Sequence, residues 1–163
     1  MRLRNRPGLC AHANELVSVA HSSAMAKVFV HDQLIRFSHC DPAGIVYFPE
    51  FFDLAHATME DWFREGLGQP LPDLIRERRI GTPTVTIASD FLKPLSMGDT
   101  LRFELTVLKA GNASVRLAYS GKKDGVEHLR ITQTIAFVAL DAGTATPIPT
   151  DLRPRIEEYL VAS

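Results

Sequence analysis

A segment near residue 40, HCDPAGIVYFPEFFDLAH, combines an acidic residue, a turn and the expected start of a helix. Its carboxylate, Asp41, stands before a proline at the mouth of an apolar run, where an aspartate either shapes a turn or takes part in chemistry. A carboxylate can attack a carbonyl carbon directly or activate water as a general base. The backbone N–H groups of Val46, Tyr47 and Phe48 lie at the expected helix entry and could stabilise the oxyanion that forms. On its spacing alone, the segment is equally compatible with a catalytic carboxylate at Asp41 and with an aspartate that forms a turn or caps the helix.

Four neighbouring side chains offer competing chemistry. Cys40 is a potential nucleophile, but His39 beside it should lie on the opposite face of a strand, so no cysteine–histidine pair is expected. We interpret Cys40 as a small buried residue and His39 as a polar residue at a strand end. Glu50, at the second position of the expected helix, is favoured there by the helix dipole, and Glu60 falls on the polar strip of that helix. Both glutamates are interpreted as structural.

Composition argues against several classes of partner and cofactor. The 163 residues carry 18 Lys and Arg against 19 Asp and Glu, so no basic excess favours a nucleic acid. No apolar segment reaches the length of a transmembrane helix, so no membrane partner is expected. The six histidines and two cysteines form no closely spaced ligand set, so no metal site is predicted. The sequence contains no P-loop, G-x-G-x-x-G or G-x-S-x-G motif, which disfavours nucleotide cofactors and serine hydrolases.

The first 24 residues differ from the rest of the chain. They are polar, contain three arginines and lack the continuous apolar core of a secretory signal. We predict that residues 1–24 are a flexible N-terminal extension and that one domain spans residues 25–163. Cys10 and Cys40 do not indicate a disulfide framework, which favours a cytoplasmic protein.

Periodicity in the remaining sequence predicts one long helix and about five strands. The segment KVFVHDQLIRFSH alternates apolar and polar residues and predicts a strand ending near Asp41. A helix is expected from about Pro49 to Glu65, closed by Gly66 or Gly68, and its apolar circumference predicts that it is buried. Four β segments follow, TPTVTIASDFLKPL, DTLRFELTVLKAG, ASVRLAYSGKK and HLRITQTIAFVAL, and then a short C-terminal helix in RPRIEEYLVAS. Because these elements do not alternate as βαβ units, we expect an α+β fold with an antiparallel sheet around one helix.

The sequence FSHCDPAGIVYFPEFFDLAHATMEDWF, followed by GTPTVTIASDFLKPLSMGD, resembles the hotdog-fold acyl-CoA thioesterases, and within them the 4-hydroxybenzoyl-CoA thioesterase type. The resemblance implies a hotdog fold, in which a five-stranded antiparallel sheet wraps around one long central helix. It also implies hydrolysis of an aromatic acyl-CoA to a carboxylic acid and coenzyme A. Coenzyme A is then part of the substrate, and no separate cofactor is expected. Such enzymes form homodimers or homotetramers with active sites at the subunit interface.

The resemblance also implies roles for particular residues. Asp41 is the acid, as nucleophile or general base, the Phe48 N–H polarises the thioester carbonyl, and Thr82 approaches across the interface. The expected contacts are Gly44, Tyr47 and His56 for the substrate, and Ser114 and Arg116 for coenzyme A. Relatives that act on aryl-CoA typically carry an acid where His56 stands and basic residues where Gly-Asn-Ala stands at 111–113. These departures point to another aromatic or a different acyl group, and to nucleotide anchoring elsewhere.

Two other functions are compatible with the sequence. A hydratase or dehydratase acting on acyl thioesters would need a histidine near the acid, and no histidine is placed where both would clearly reach one substrate carbon. A non-catalytic acyl-CoA-binding module would use the same groove without turnover. The fold alone permits all three functions.

Overall fold

Eight strands form two sheets in the computed structural model, which describes residues 25–162 of the chain. The strands are β1 (Phe29–Leu34), β2 (Ile80–Gly81), β3 (Thr84–Phe91), β4 (Thr100–Ala110), β5 (Ser114–Lys123), β6 (Val126–Ala136), β7 (Val138–Ala139) and β8 (Thr144–Ala145). The larger sheet is antiparallel, in the order β1-β4-β5-β6-β3, and the smaller has the order β2-β7-β8. The extension predicted for residues 1–24 lies outside the described residues.

The long helix α1 spans Glu50–Asp61 and continues as a π-helical turn over Trp62–Gly66. The N–H of Leu67 donates to the carbonyl of Trp62 at 2.9 Å, which is the five-residue spacing of a π turn. The helix therefore occupies the predicted segment, with a π-helical end that the sequence did not indicate. Two short helices follow in the described chain, α2 (Leu71–Arg76) and α3 (Arg153–Glu157), and α3 lies in the predicted C-terminal segment.

One face of the larger sheet forms the core against α1. Alternate residues of β4, β5 and β6 are buried, as the period of two predicts, and with the exception of Gln133 they are apolar. They include Leu101, Phe103, Leu105, Val107, Val115, Leu117, Leu129, Ile131 and Ile135. The α+β architecture predicted from the sequence, an antiparallel five-stranded sheet with one long helix, is confirmed.

The expectation that α1 is buried on nearly every side is wrong. Phe51, Leu54, Ala55, Thr58 and Met59 face the core. On the other side, Asp53, His56 and Glu60 are exposed, and Phe52 is only half-buried. The sheet of one chain covers a single side of the helix, so apolar and polar residues share the uncovered side.

Two predicted strands are shorter than expected. The first ends at Leu34, and Phe37–His39 form a 3₁₀ turn in which His39 Nδ1 accepts a hydrogen bond from the Arg36 N–H at 3.1 Å. His39 and Cys40 therefore do not alternate as strand neighbours, although His39 is a polar residue in a turn, close to its interpretation. The segment HLRITQTIAFVAL is divided into β6 and β7 at the fully buried Phe137.

Gly66 is the most crowded point of the π-helical turn. A methyl group there would lie 2.6 Å from Trp62 Cδ1 and 2.9 Å from Tyr159 Oη. Both rings are buried and pack edge to face, with centroids 5.6 Å apart. We expect Gly66→Ala to lower the free energy of unfolding by about 1–3 kcal/mol, measured by urea denaturation. The exposed neighbour gives the control Glu65→Ala, expected within about 0.5 kcal/mol of wild type, and equal losses in both variants would contradict the crowding.

Candidate active site

Asp41 lies in a tight turn between the 3₁₀ turn and α1. Its carbonyl oxygen accepts a hydrogen bond from the Gly44 N–H at 2.9 Å, and its Oδ1 accepts one from the Ala43 N–H at 2.8 Å. Gly44 has a φ of +78°, a conformation that glycine adopts without steric penalty. Among the described residues, Asp41 Oδ2 has no hydrogen-bond partner. The turn therefore uses one carboxylate oxygen and leaves the other available for chemistry.

Of the three N–H groups considered at the helix entry, one has no acceptor within residues 25–162. The N–H groups of Val46 and Tyr47 donate to backbone carbonyls of neighbouring segments, both at 2.9 Å. The N–H of Phe48 has no such partner, and Pro49 after it has no N–H. Because α1 begins at Glu50, the Phe48 N–H lies at the positive end of the helix dipole. The geometry thus narrows the candidate oxyanion donors to Phe48.

Aromatic side chains pack around the ring of Phe48. The ring of Phe91, at the end of β3, packs against Phe48, Phe51 and Phe52 with centroid distances of 6.3, 5.5 and 6.3 Å. Tyr47 lies 5.4 Å from the Phe48 ring, and half of its surface is exposed. An apolar cavity of about 310 Å³ opens beside these rings. An aromatic group could therefore bind beside Phe48.

Asp41 opens onto a second cavity, of about 540 Å³. The lining residues come from the 3₁₀ turn, the Asp41 turn and the segment before β4: Phe37, Cys40, Asp41, Pro42, Gly44, Ser96 and Met97. Cys40 is half-buried rather than fully buried, and its Sγ lies 3.7 Å from the Arg36 carbonyl oxygen. Since the His39 ring bonds to the Arg36 N–H, the described contacts do not pair Cys40 with a histidine.

His56 and Thr82 line a third cavity, of about 630 Å³. His56 is exposed, and its Nε2 lies 3.2 Å from Glu60 Oε1, one helical turn further on. The remaining walls combine apolar and cationic side chains: Arg64, Pro70, Leu71, Pro72, Ile75, Arg76 and Pro83. Asp41 and Thr82 line different cavities, and no hydrogen bond of the described residues joins the predicted acid to the predicted threonine.

The predicted coenzyme A contacts, Ser114 and Arg116, lie in the first three residues of β5. Neither lines the three cavities described above. Arg153 of α3 was not predicted to act near this turn, yet its Nη2 donates to the carbonyl oxygens of Gly111 at 2.8 Å and Asn112 at 3.3 Å. Arg153 thereby holds the turn before β5. A contact between residues so far apart in the chain leaves no local sequence pattern from which it could have been found.

Other charged side chains of the described chain pair with one another. His31 Nδ1 lies 2.9 Å from Asp61 Oδ2, which links β1 to α1. Arg78 donates two hydrogen bonds to Asp151, at 2.8 and 3.0 Å, and these lower the pKa of the Asp151 carboxyl and raise that of Arg78. Between residues 25 and 162, no group of three or more acidic, histidine or cysteine side chains is arranged to hold a metal ion. No helix of this part is long and apolar enough to cross a membrane.

The sequence match extends over most of the described chain. Residues 35–156 match the thioesterase-like superfamily. The chain belongs to this superfamily. The match includes the Asp41 turn, α1 and Thr82, so all three cavities lie within the part shared with other thioesterase-like proteins.

Two relatives in the superfamily carry names that specify a reaction. The 1,4-dihydroxy-2-naphthoyl-CoA hydrolase of Prochlorococcus marinus (strain NATL2A) is 34% identical over 98 residues, covering 56% of this chain and 63% of that protein. The 4-hydroxybenzoyl-CoA thioesterase of Pseudomonas sp. (strain CBS-3) is 34% identical over 84 residues, covering 51% of this chain and 60% of that protein. The chain thus spans about three fifths of the length of these relatives. Both are named as hydrolases of acyl-CoA thioesters, which confirms the family resemblance seen in the sequence.

A solved structure supports the same assignment at the level of the fold. The crystal structure of a thioesterase superfamily protein from Jannaschia sp. CCS1 has a TM-score of 0.77 and 28% sequence identity. The match covers 83% of this chain and 94% of that chain. The hotdog fold implied by the sequence resemblance is therefore confirmed.

Proposed function

We propose that this chain is an acyl-CoA thioesterase that hydrolyses an aromatic acyl-CoA to a carboxylic acid and coenzyme A. One observation carries the proposal: within residues 25–162, a single short segment holds both a carboxylate oxygen without a partner, at Asp41, and an N–H without an acceptor, at Phe48. Hydrolysis of a thioester needs an acid that attacks or activates water and a donor for the oxyanion. The names of the two relatives support an aromatic acyl group.

Asp41 can act in either of two ways. As a nucleophile, its carboxylate attacks the thioester carbon, the coenzyme A thiolate leaves, and water then hydrolyses the mixed anhydride. As a general base, it takes a proton from a water molecule that attacks the same carbon, and the thiolate leaves in the same step sequence. In both cases the Phe48 N–H donates to the carbonyl oxygen while negative charge develops on it. The departing thiolate ends as a thiol, so the products are one acid and one thiol per thioester.

The acyl group is proposed to bind beside the aromatic side chains at the start of α1. Phe91 and the rings around it offer edge and face contacts to an aromatic ring. Gly44 and Tyr47 flank the acid and are the proposed contacts nearest the thioester. His56 is the proposed contact for a polar substituent, because its Nε2 is engaged by Glu60 while its Nδ1 has no partner in the described part of the chain.

For coenzyme A, Ser114 and Arg116 are kept as the proposed contacts. Arg116 is exposed, and Lys109 is its cross-strand neighbour in β4. Two like charges opposite each other repel, so an anion between them would be favoured. The phosphates of coenzyme A are anions of the required kind.

We infer that the working unit is a cytoplasmic homodimer, or a homotetramer built from two dimers. The edge strand β3 exposes Val85, Ile87 and Phe91 at 57, 42 and 46%. An edge strand with exposed apolar side chains is suited to pair with a second copy. Pairing would allow Thr82 of one subunit to approach Asp41 of the other. The free thiol of Cys40 supports a reducing, cytoplasmic location.

Ile87→Lys should separate the subunits and reduce thioester hydrolysis together. A second copy would have to bury the new charge against β3, which is costly. We expect light scattering after size exclusion to show a single chain, and activity to fall at least about tenfold. Val30→Lys, on the opposite edge strand β1, is the matched control and should change neither quantity. A fully active single chain would contradict the shared site.

Acyl preference tests the proposed reaction. The protein is supplied with benzoyl-, 4-hydroxybenzoyl-, phenylacetyl- and straight-chain acyl-CoAs, and free thiol and carboxylic acid are quantified. We expect equal amounts of thiol and acid, with the fastest turnover for an aromatic substrate. Addition of water to an unsaturated acyl-CoA without thiol release would instead identify a hydratase.

A further inference from the structure

A chain of three polar side chains runs from the core to the edge of the larger sheet. Tyr119 and Gln133 are only 2 and 3% exposed. The Tyr119 hydroxyl donates to Gln133 Oε1 at 2.6 Å, and Gln133 Nε2 donates to Thr84 Oγ1 at 2.7 Å. The three residues lie on β5, β6 and β3, which are neighbours in the sheet. Thr84 is exposed, so the chain connects the apolar interior to an accessible hydroxyl.

The buried tyrosine fixes the direction of these hydrogen bonds. Burial raises the pKa of the Tyr119 phenol far above its ordinary value, so the phenol keeps its proton and must donate it. Reversing the Gln133 amide would leave that O–H without an acceptor in the core, which is unfavourable. The amide nitrogen therefore faces Thr84. Because the Thr84 oxygen accepts this hydrogen bond, its own proton is free to be donated elsewhere.

The fold does not require these three hydrogen-bonded side chains. The surrounding residues on the same face of β5 and β6 are apolar, among them Leu117, Ile131 and Ile135. Besides Gln133, the buried polar side chain of the described residues is Thr58, which donates to a carbonyl of its own helix. Replacing paired polar groups by apolar groups of the same shape can be nearly neutral for stability. The hydrogen bonds among the three side chains instead provide a hydrogen-bond donor of fixed direction, the Thr84 hydroxyl, at the edge of the sheet.

Thr84 does not itself line the cavity that contains His56, but it is the next residue in the chain after two that do, Thr82 and Pro83. Its cross-strand neighbour is the buried Ile135, so its side chain is on the face of the sheet that carries α1. Pro83 has a fixed φ, and its carbonyl accepts a hydrogen bond at 3.0 Å from the N–H of Ala136, the last residue of β6, which holds this end of β3 in place.

We propose that Thr84 determines specificity by donating a hydrogen bond to an oxygen substituent on the acyl group, and that Tyr119 and Gln133 position its hydroxyl for this purpose. The inference rests on the proposed thioesterase function and names its substrate class more closely. Preferred acyl groups carry an acceptor oxygen, such as an ether or hydroxyl oxygen, where the cavity meets β3. An apolar substituent of the same size leaves the donor desolvated and unpaired, which penalises that substrate.

The test compares 4-methoxybenzoyl-CoA with 4-ethylbenzoyl-CoA, which differ by an oxygen in place of a methylene group. We expect the ratio of their kcat/KM values to fall roughly threefold to tenfold in the near-isosteric variant Thr84→Val. Thr84→Ser should restore the wild-type ratio. Thr86→Val, on the opposite face of the same strand, is the matched control and should leave the ratio unchanged. Differences in intrinsic reactivity cancel because every variant receives the same two substrates.

A double-mutant cycle separates positioning from simple packing. Tyr119→Phe removes the phenol hydroxyl, so the Gln133 amide can turn and its oxygen can accept the Thr84 proton, which withdraws the donor. We expect Tyr119→Phe to change the ratio as Thr84→Val does, and the double variant to change it no further. A ratio unaffected by Thr84→Val, or effects that multiply in the double variant, would overturn the inference. Failure of wild type to hydrolyse either substrate while it hydrolyses benzoyl-CoA would overturn the inference alone, and failure on every acyl-CoA supplied would overturn the proposed function with it.

Discussion

Asp41→Asn should lower kcat for an aromatic acyl-CoA by about 10²- to 10⁴-fold while the fold stays intact. The asparagine retains the Oδ1 that accepts the Ala43 N–H, so the turn can form as before. It lacks the negative charge needed to attack the thioester or to take a proton from water. Thiol release at saturating substrate measures the effect, and the melting temperature reports on the fold.

A matched control separates this effect from a general loss of charge near α1. Asp53 is exposed in the first turn of the same helix, and Asp53→Asn should retain near-normal kcat. Near-normal turnover by Asp41→Asn would contradict the catalytic role. A drop in melting temperature that parallels the loss of activity would indicate that Asp41 forms the turn and is not catalytic.

Exchange of the Phe48 N–H for an ester oxygen should lower kcat by about 10²- to 10³-fold. The exchange is made by incorporating the α-hydroxy acid analogue of phenylalanine, which keeps the ring and its packing against Phe91. The N–H has no acceptor in the described residues, so the substitution removes no internal hydrogen bond from that part of the chain. Single-turnover rates with bound substrate measure the oxyanion contribution separately from affinity.

The same exchange at Phe52 is the control. Its N–H donates to the Pro49 carbonyl at 2.9 Å, so an ester there should lower the stability of the helix start rather than the rate of the chemical step. An unchanged single-turnover rate for the Phe48 ester would contradict the assignment of its N–H to the oxyanion.

The Asp41 turn and the helix start could be predicted because both are local. The Asp-Pro-Ala-Gly sequence specifies the turn, and a proline just before an apolar run marks a helix entry. The sequence could not indicate in this way which backbone N–H at the helix start lacks an acceptor in the described part of the chain. The carbonyls that occupy the N–H groups of Val46 and Tyr47 belong to Leu95 and His39, and only the folded chain brings them there.

The uncovered side of α1 shows a second limit of prediction from the sequence. Apolar residues around its circumference predicted burial, yet Asp53 and His56 are exposed and Phe52 is half-buried. Composition does not distinguish side chains that pack within one chain from side chains suited to pack against another molecule. For the same reason, the sequence named both Asp41 and Thr82 as site residues but could not indicate that one chain holds them in separate cavities.

The hydrogen bonds among Tyr119, Gln133 and Thr84 show a third limit of prediction from the sequence. Strand alternation predicts that Tyr119 and Gln133 lie on one face of the sheet, but not that their polar groups meet. Cross-strand register decides that contact, and register depends on the bulges between Thr84 and Thr86 and between Gly121 and Lys122.

The most direct test of the central claim measures benzoyl-CoA binding and thiol release on the same sample of wild-type protein. We predict saturable binding with many turnovers, and one molecule of benzoate for each thiol released. Saturable binding without thiol release, from benzoyl-CoA or any other acyl-CoA supplied, would contradict the thioesterase assignment and identify an acyl-CoA-binding module instead.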